Sequence, residues 1–265
     1  MVVSGLIYTA CSKDDNNTSS EAQSVKDFAT AESIYDDVDQ IAQEAEDGSV
    51  NLFKDADAEY SLLSNCVTIT RDTVSVPHLI TVDFGTKNCL CNDGKYRRGQ
   101  ILISYMGRHL VPGSYKNITF NGYYVNNNQV LGTKTITNMG RNSNEDLWWS
   151  IQVDGKIIYA TGDSILWTSN RNRAWVEGEG TLHYRLDDVY SITGVATVTR
   201  PNGNIANSNI VTGLRKEMGC HNFVSGVVEI DITGKPTRTL DYGNGDCDNL
   251  ATITINGKTF TIILK

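Results

Sequence analysis

The 265-residue chain is short of several things, and each shortage excludes a class. No apolar run approaches the ~20 residues that a membrane-spanning helix needs. Basic residues are outnumbered, with 23 Lys plus Arg against 31 Asp plus Glu, a net charge of −8. Nucleic-acid affinity rests on an excess of Lys and Arg, so a nucleic-acid partner is not expected. Only four histidines occur, His78, His109, His183 and His221, with no H-x-H or H-E-x-x-H spacing. No zinc or other metal site is expected from them. Prolines number four. Long strands therefore meet few interruptions.

Cysteine is the exception, with six. That number fits an oxidising compartment better than a cytosol. Cys11 follows the small apolar run Met1–Ala10, MVVSGLIYTA. The pattern resembles the end of a bacterial lipoprotein signal peptide, in which the Cys is lipidated after cleavage. Tyr8 departs from the aliphatic residue usual three places before that Cys, and the run carries no Lys or Arg. Residues 1–10 are expected to be a truncated signal and Cys11 the lipid attachment site. Ser12–Ser20 is polar and is expected to be a flexible tether over residues 11–20.

A helix is predicted over 21–47. Val25, Phe28, Ala31, Ile34, Val38, Ile41 and Ala45 recur at steps of three and four. Thr18/Glu21 and Ser20/Gln23 have capping-box spacing, and Gly48 is a stop signal. Asp36, Asp37, Asp39, Glu44 and Glu46 fall largely on the other face, where solvation would account for them. The apolar face is expected to pack on a β domain.

From about Cys66 the pattern has period two, as in V-T-I-T-R, Q-I-L-I-S-Y and A-T-I-T-I. Asp154-Gly155, Gly162-Asp163, Asn202-Gly203 and Asn256-Gly257 read as turns between strands. The fold class is mainly β, a long antiparallel meander of roughly 14 to 16 strands, rolled, closed into a barrel or split into a two-sheet sandwich. With its N-terminal helix it forms one domain over 21–265.

One block occurs twice. Val82-Asp83-Phe84-Gly85 precedes Cys89 by the same three residues as Leu240-Asp241-Tyr242-Gly243 precedes Cys247. Cys66 and Cys220 stand before the strand preceding each copy. The economical pairing is Cys66–Cys89 and Cys220–Cys247, each worth about 3 kcal/mol of loop entropy. Cys91 is left over, and could replace Cys89 as the partner of Cys66. The runs D-F-G-T-K-N-C-L-C-N-D-G and L-D-Y-G-N-G-D-C-D-N resemble blocks of uncharacterised secreted or surface lipoproteins of Bacteroidetes. The resemblance covers most of residues 62–265. It implies an outer-membrane, lipid-anchored protein at the cell surface, and supplies no catalytic residues.

Other motifs carry less. Asn244, Asp246 and Asp248 begin like a calcium loop, but Asn249 and Ile255 occupy the places of its Gly and Glu. Asp72-Thr73-Val74 and Asp163-Ser164-Ile165 match a D-[ST]-aliphatic O-glycosylation signal, making Thr73 and Ser164 candidate glycan carriers. Glu177 and Glu179 flank Gly178 on what reads as a strand, about 7 Å apart on one face. With Trp167 and Trp175 nearby they would suit a glycan-active hydrolase. The favoured expectation has no catalytic residues and no cofactor. It is a binding or structural β protein, anchored to a membrane through Cys11, whose partner is a glycan or another surface protein met by Tyr123, Tyr124, Trp148 and Trp149.

Overall fold

The computed structural model describes residues 14–47, 61–181 and 184–264. It contains one long helix, α1 (Asp14–Asp47), and fourteen strands. These are β1 (Thr68–Asp72), β2 (His78–Asp83), β3 (Cys89–Leu90), β4 (Tyr96–Met106), β5 (Tyr115–Val125), β6 (Asn128–Arg141) and β7 (Leu147–Ile158). There follow β8 (Ser164–Glu177), β9 (Val189–Thr199), β10 (Ile205–Glu217), β11 (Ser225–Ile232), β12 (Arg238–Asn244), β13 (Leu250–Ile255) and β14 (Lys258–Ile263). All belong to one antiparallel sheet. Its path runs from β1 to β14 in chain order, with the short β3 paired beside β4. The mainly-β meander expected from the sequence is thus observed, and it is a rolled sheet with two free edges.

The roll is wound on the helix. Arg71 of β1 donates to the Ala45 carbonyl at 2.6 Å, so one edge of the sheet reaches α1. At the other edge, Ile262 and Leu264 share a groove with Ala29 and Ser33 of α1. Val25, Phe28, Ala31, Ile34, Tyr35, Val38, Ile41, Ala42 and Ala45 are buried, and so are Asp27, Glu32, Asp37, Asp39, Gln43 and Glu44. A single stripe, Lys26, Ala29, Thr30, Ser33, Asp36 and Gln40, stays partly open. The acidic face is therefore not the solvated surface expected from the sequence. A helix that a rolled sheet encloses on all but one stripe turns most of its acids toward the sheet, so those carboxylates must find partners.

The helix also starts earlier than predicted. Residues 14–20, read as tether, are its first turns. Thr18 and Ser20 are then interior residues rather than caps. Cys11 and residues 1–13 lie outside the described residues.

One predicted turn is absent. Asp154-Gly155 lies inside β7, which runs unbroken from Leu147 to Ile158. Gly155 is needed for space, not for a bend. A Cβ there would sit 1.9 Å from the Tyr35 hydroxyl. That hydroxyl donates to the Leu131 carbonyl at 3.0 Å, next to Gly132, which is paired with Gly155 across β6 and β7. The phenol of the central helix thus seats over a pair of glycines. Asn256-Gly257 does turn the chain, both residues having positive φ.

Candidate functional site

Inside the roll the inner face of each strand alternates with the outer face. Along β8 the buried residues are Ile165, Trp167, Ser169, Arg171, Arg173 and Trp175. Two arginines therefore point at the helix, where an apolar residue would be usual. Each finds an acid. Arg171 holds Glu32 through two bonds of 2.5 and 3.2 Å, and Arg173 contacts Asp39. Four further acids of α1 do the same. Asp27 meets Arg200 at 2.5 Å, Asp36 meets Lys216 at 3.7 Å, Asp37 meets Arg97 at 2.6 Å and Glu46 meets Lys116 at 2.5 Å. Lys134 reaches Asp39 at 4.0 Å and the Tyr35 carbonyl at 2.6 Å.

The charge states follow from this pairing. Burial by itself would raise the Asp37 carboxyl, yet Lys95 and Arg97 hold it below the usual carboxylate range. Arg173 and Lys134 do the same for Asp39 against its burial. Burial lowers Lys134 more than Asp39 and Asp36 raise it. Little space is left. A void of about 30 Å³ lies among Glu32, Asp39, Lys134, Arg171 and Arg173, and one of about 10 Å³ lies beside Glu46, His109 and Lys116. The first is the size of one water molecule and is rimmed by Asp39 Oδ1 and Arg173 Nε, which lack protein partners. At these ion pairs the interior is filled, and neither void has room for more than a water molecule.

The carboxylates weighed as a hydrolytic pair do not face each other. β8 ends at Glu177, and Gly178, at φ +95°, turns the chain into a 3-10 turn, Glu179–Thr181. They share no strand face, which corrects the sequence reading. Glu177 is exposed and bonds Arg215 at 2.8 Å. Glu179 bonds Arg141. Trp167 and Trp175 are core residues. Phe28 of α1 packs on Trp167 at 5.4 Å, and Trp175 stacks on Tyr190 at 5.9 Å.

The repeated block forms the same local structure twice. The backbone N–H of Gly85 donates to Asp83 at 2.7 Å, and that of Gly243 donates to Asp241 at 2.9 Å. Each intervening aromatic is buried, Phe84 against Tyr123 and Tyr242 against Phe223. Cys66 is joined to Cys89 and Cys220 to Cys247. Cys91 is a free, buried thiol that burial pushes up. Thr73 is exposed in the β1–β2 connection, whose backbone is held by Asp72 accepting from Val74 and Ser75. Ser164 opens β8 and is half-buried.

The four aromatics named as a contact surface divide. Tyr123 and Trp149 are core residues, Trp149 stacking on His109 at 4.8 Å. Tyr124 lies on the outer face under the Arg98 guanidinium, 3.8 Å from its ring centre. Trp148 is also on the outer face, half-exposed, in a hollow of about 370 Å³. A second depression, about 470 Å³, follows the free edge of β14 between Ile262, Phe223 and Tyr242 and the open stripe of α1. The sequence does not single out the hollow's polar rim, because the turn residues Asn142, Asn144 and Asp146 and the outward strand residues Asn172, Ser191 and Thr193 look like any others until their neighbours are known. The one available signal was Ala174, a small residue among longer outward neighbours.

No known protein family, curated protein or solved structure matches the chain.

Proposed function

We propose that this chain is a non-catalytic, extracytoplasmic binding protein, held to a membrane by a lipid on Cys11, and that it binds through the outside of its sheet. The observation that carries the reading is the helix lying along the axis of the roll, buried over most of residues 25–45. A β roll that carried a ligand in its lumen would need an open cavity. Here α1 occupies that place, pinned by five of its acids to bases on the strands and by Asp27 to Arg200 just after β9. Binding is then left to the surface, where the outer-face hollow beside Trp148, about 370 Å³, and the depression between the β14 edge and α1, about 470 Å³, lie. The two cystines support an oxidising location. The hydrolase alternative draws no support from Glu177 and Glu179, each bonded to a separate arginine at the surface, Glu177 to an Arg215 that also bonds Glu217.

The test is mass spectrometry of the amino-terminal peptide from cell membranes, together with incubation of the purified protein with polysaccharides. Acylated Cys11, with loss of membrane attachment in Cys11→Ser, is the expected result. An unmodified Cys11 would refute the anchor. Release of reducing ends that disappears in Glu177→Gln would refute the non-catalytic reading.

A further inference from the structure

We infer that the hollow beside Trp148 is a saccharide-binding site that takes a neutral pyranose ring. Its shape comes from side-chain size along the outer face of three strands. Trp148 of β7 is directly opposite Ala174 of β8, and Ala174 is opposite Ser191 of β9. Opposed residues in antiparallel strands share a face. Ala174 is therefore a low floor between a tall indole and a short hydroxyl. Two strand spacings separate Trp148 from Ser191, roughly 10 Å, a width that admits one sugar ring against the indole. The next row supplies Asn172 and Thr193, which face each other across β8 and β9. The 370 Å³ volume falls within the range of small-ligand sites.

The upper wall is a preorganised turn. The Asn142 side-chain carbonyl accepts from the backbone N–H groups of Asn144 at 2.8 Å and Asp146 at 3.0 Å. Its amide donates to Asp146 Oδ2 at 3.3 Å. Asn142 is thus used by the turn itself, and it fixes Asp146 at the rim.

The lining decides the ligand class. It contains no Lys, Arg or His, so a phosphate or carboxylate group has no partner charge there. Its polar groups are amides and hydroxyls, which both donate and accept, and one fixed carboxylate, which accepts. A ring bearing several hydroxyls needs this mixture. The half-exposed indole offers an apolar face for the C–H side of the ring. An apolar peptide would cover the indole and Val176 but leave the amides and carboxylate unsatisfied. This inference rests on the proposed binding role and names its ligand.

The test uses the full chain titrated with neutral gluco-, manno- and galacto-oligosaccharides, read by tryptophan fluorescence and by saturation-transfer NMR. Saturable binding by at least one series is expected, weakened about tenfold or more in Trp148→Ala. Ala174→Leu fills the floor without removing a contact and should abolish binding at unchanged Tm. It keeps the test valid if Trp148→Ala fails to fold. No binding by any series, or binding that survives both substitutions, overturns the site. Binding of acidic sugars or an apolar peptide in its place does so too. Turnover of a bound oligosaccharide would instead refute the non-catalytic reading and leave the site standing, so the two failures are distinguishable.

Discussion

Replacing Glu32 by Leu removes one half of a buried ion pair between α1 and β8. Arg171 is 4% exposed at its side chain and Glu32 is 9% exposed, with two bonds between them. After the substitution the guanidinium stays in the roll, flanked by the Phe28 and Trp167 rings at 5.9 Å each. A buried charge left without its partner costs about 3 to 5 kcal/mol. For a chain of this size that is a fall in Tm of roughly 6 to 20 °C. The double change Glu32→Leu with Arg171→Met removes both desolvation costs and both charges. Well-packed apolar replacements of buried pairs are near neutral or stabilising by up to about 4 kcal/mol, so the double variant should recover most of the loss. Urea unfolding of the four proteins closes the cycle and gives the coupling energy. The reasoning fails if the single change costs under about 1 kcal/mol, the value of an exposed pair. It fails as well if the double variant is no better than Glu32→Leu.

Three further outcomes follow from the same structure. Gly155→Ala drives a Cβ into the Tyr35 hydroxyl, so it should cost about 1 to 3 kcal/mol, and much less in a Tyr35→Ala background. Burial pushes the Asp188 carboxyl up to about 7, so the folded state holds a proton that the unfolded chain releases near pH 4. The stability from that proton is present below about pH 4 and lost as pH rises to about 7, so the Tm of Asp188→Asn should gain on wild type across that window and level off above it. Cys91 is buried and its thiol raised, so in native Cys11→Ser protein a thiol reagent should label it only at the rate of unfolding; rapid labelling of the Cys91 peptide would contradict its placement.

The sheet was legible because period two is a local property, and each strand carries its own copy. The turn at Asn256-Gly257 was legible for the same reason, since two-residue hairpins need those residue types. Asp154-Gly155 misled because its glycine answers to Tyr35, distant in sequence. The interior misled more deeply. A binary reading sorts Arg171 and Arg173 with Asn170 and Asn172 as polar, yet the arginines face the helix and the asparagines face solvent. Only the phase set by Ile165, Trp167 and Trp175 along the same strand distinguishes them. The acids of α1 were visible, but whether they meet water or arginine depends on whether the sheet lies beside the helix or surrounds it. The hollow was partly legible. Trp148 stood out as an aromatic, whereas Asn172 and Ser191 became neighbours only once the β8–β9 register was known.

The central claim is that α1 is the axis of the roll and not a helix on its surface. Hydrogen exchange of the full chain at neutral pH tests it directly. The amides of residues 25–45 should belong to the slowest class, exchanging only by global unfolding together with those of β8. Exchange of those amides within seconds to minutes, while β8 remains protected, would contradict it.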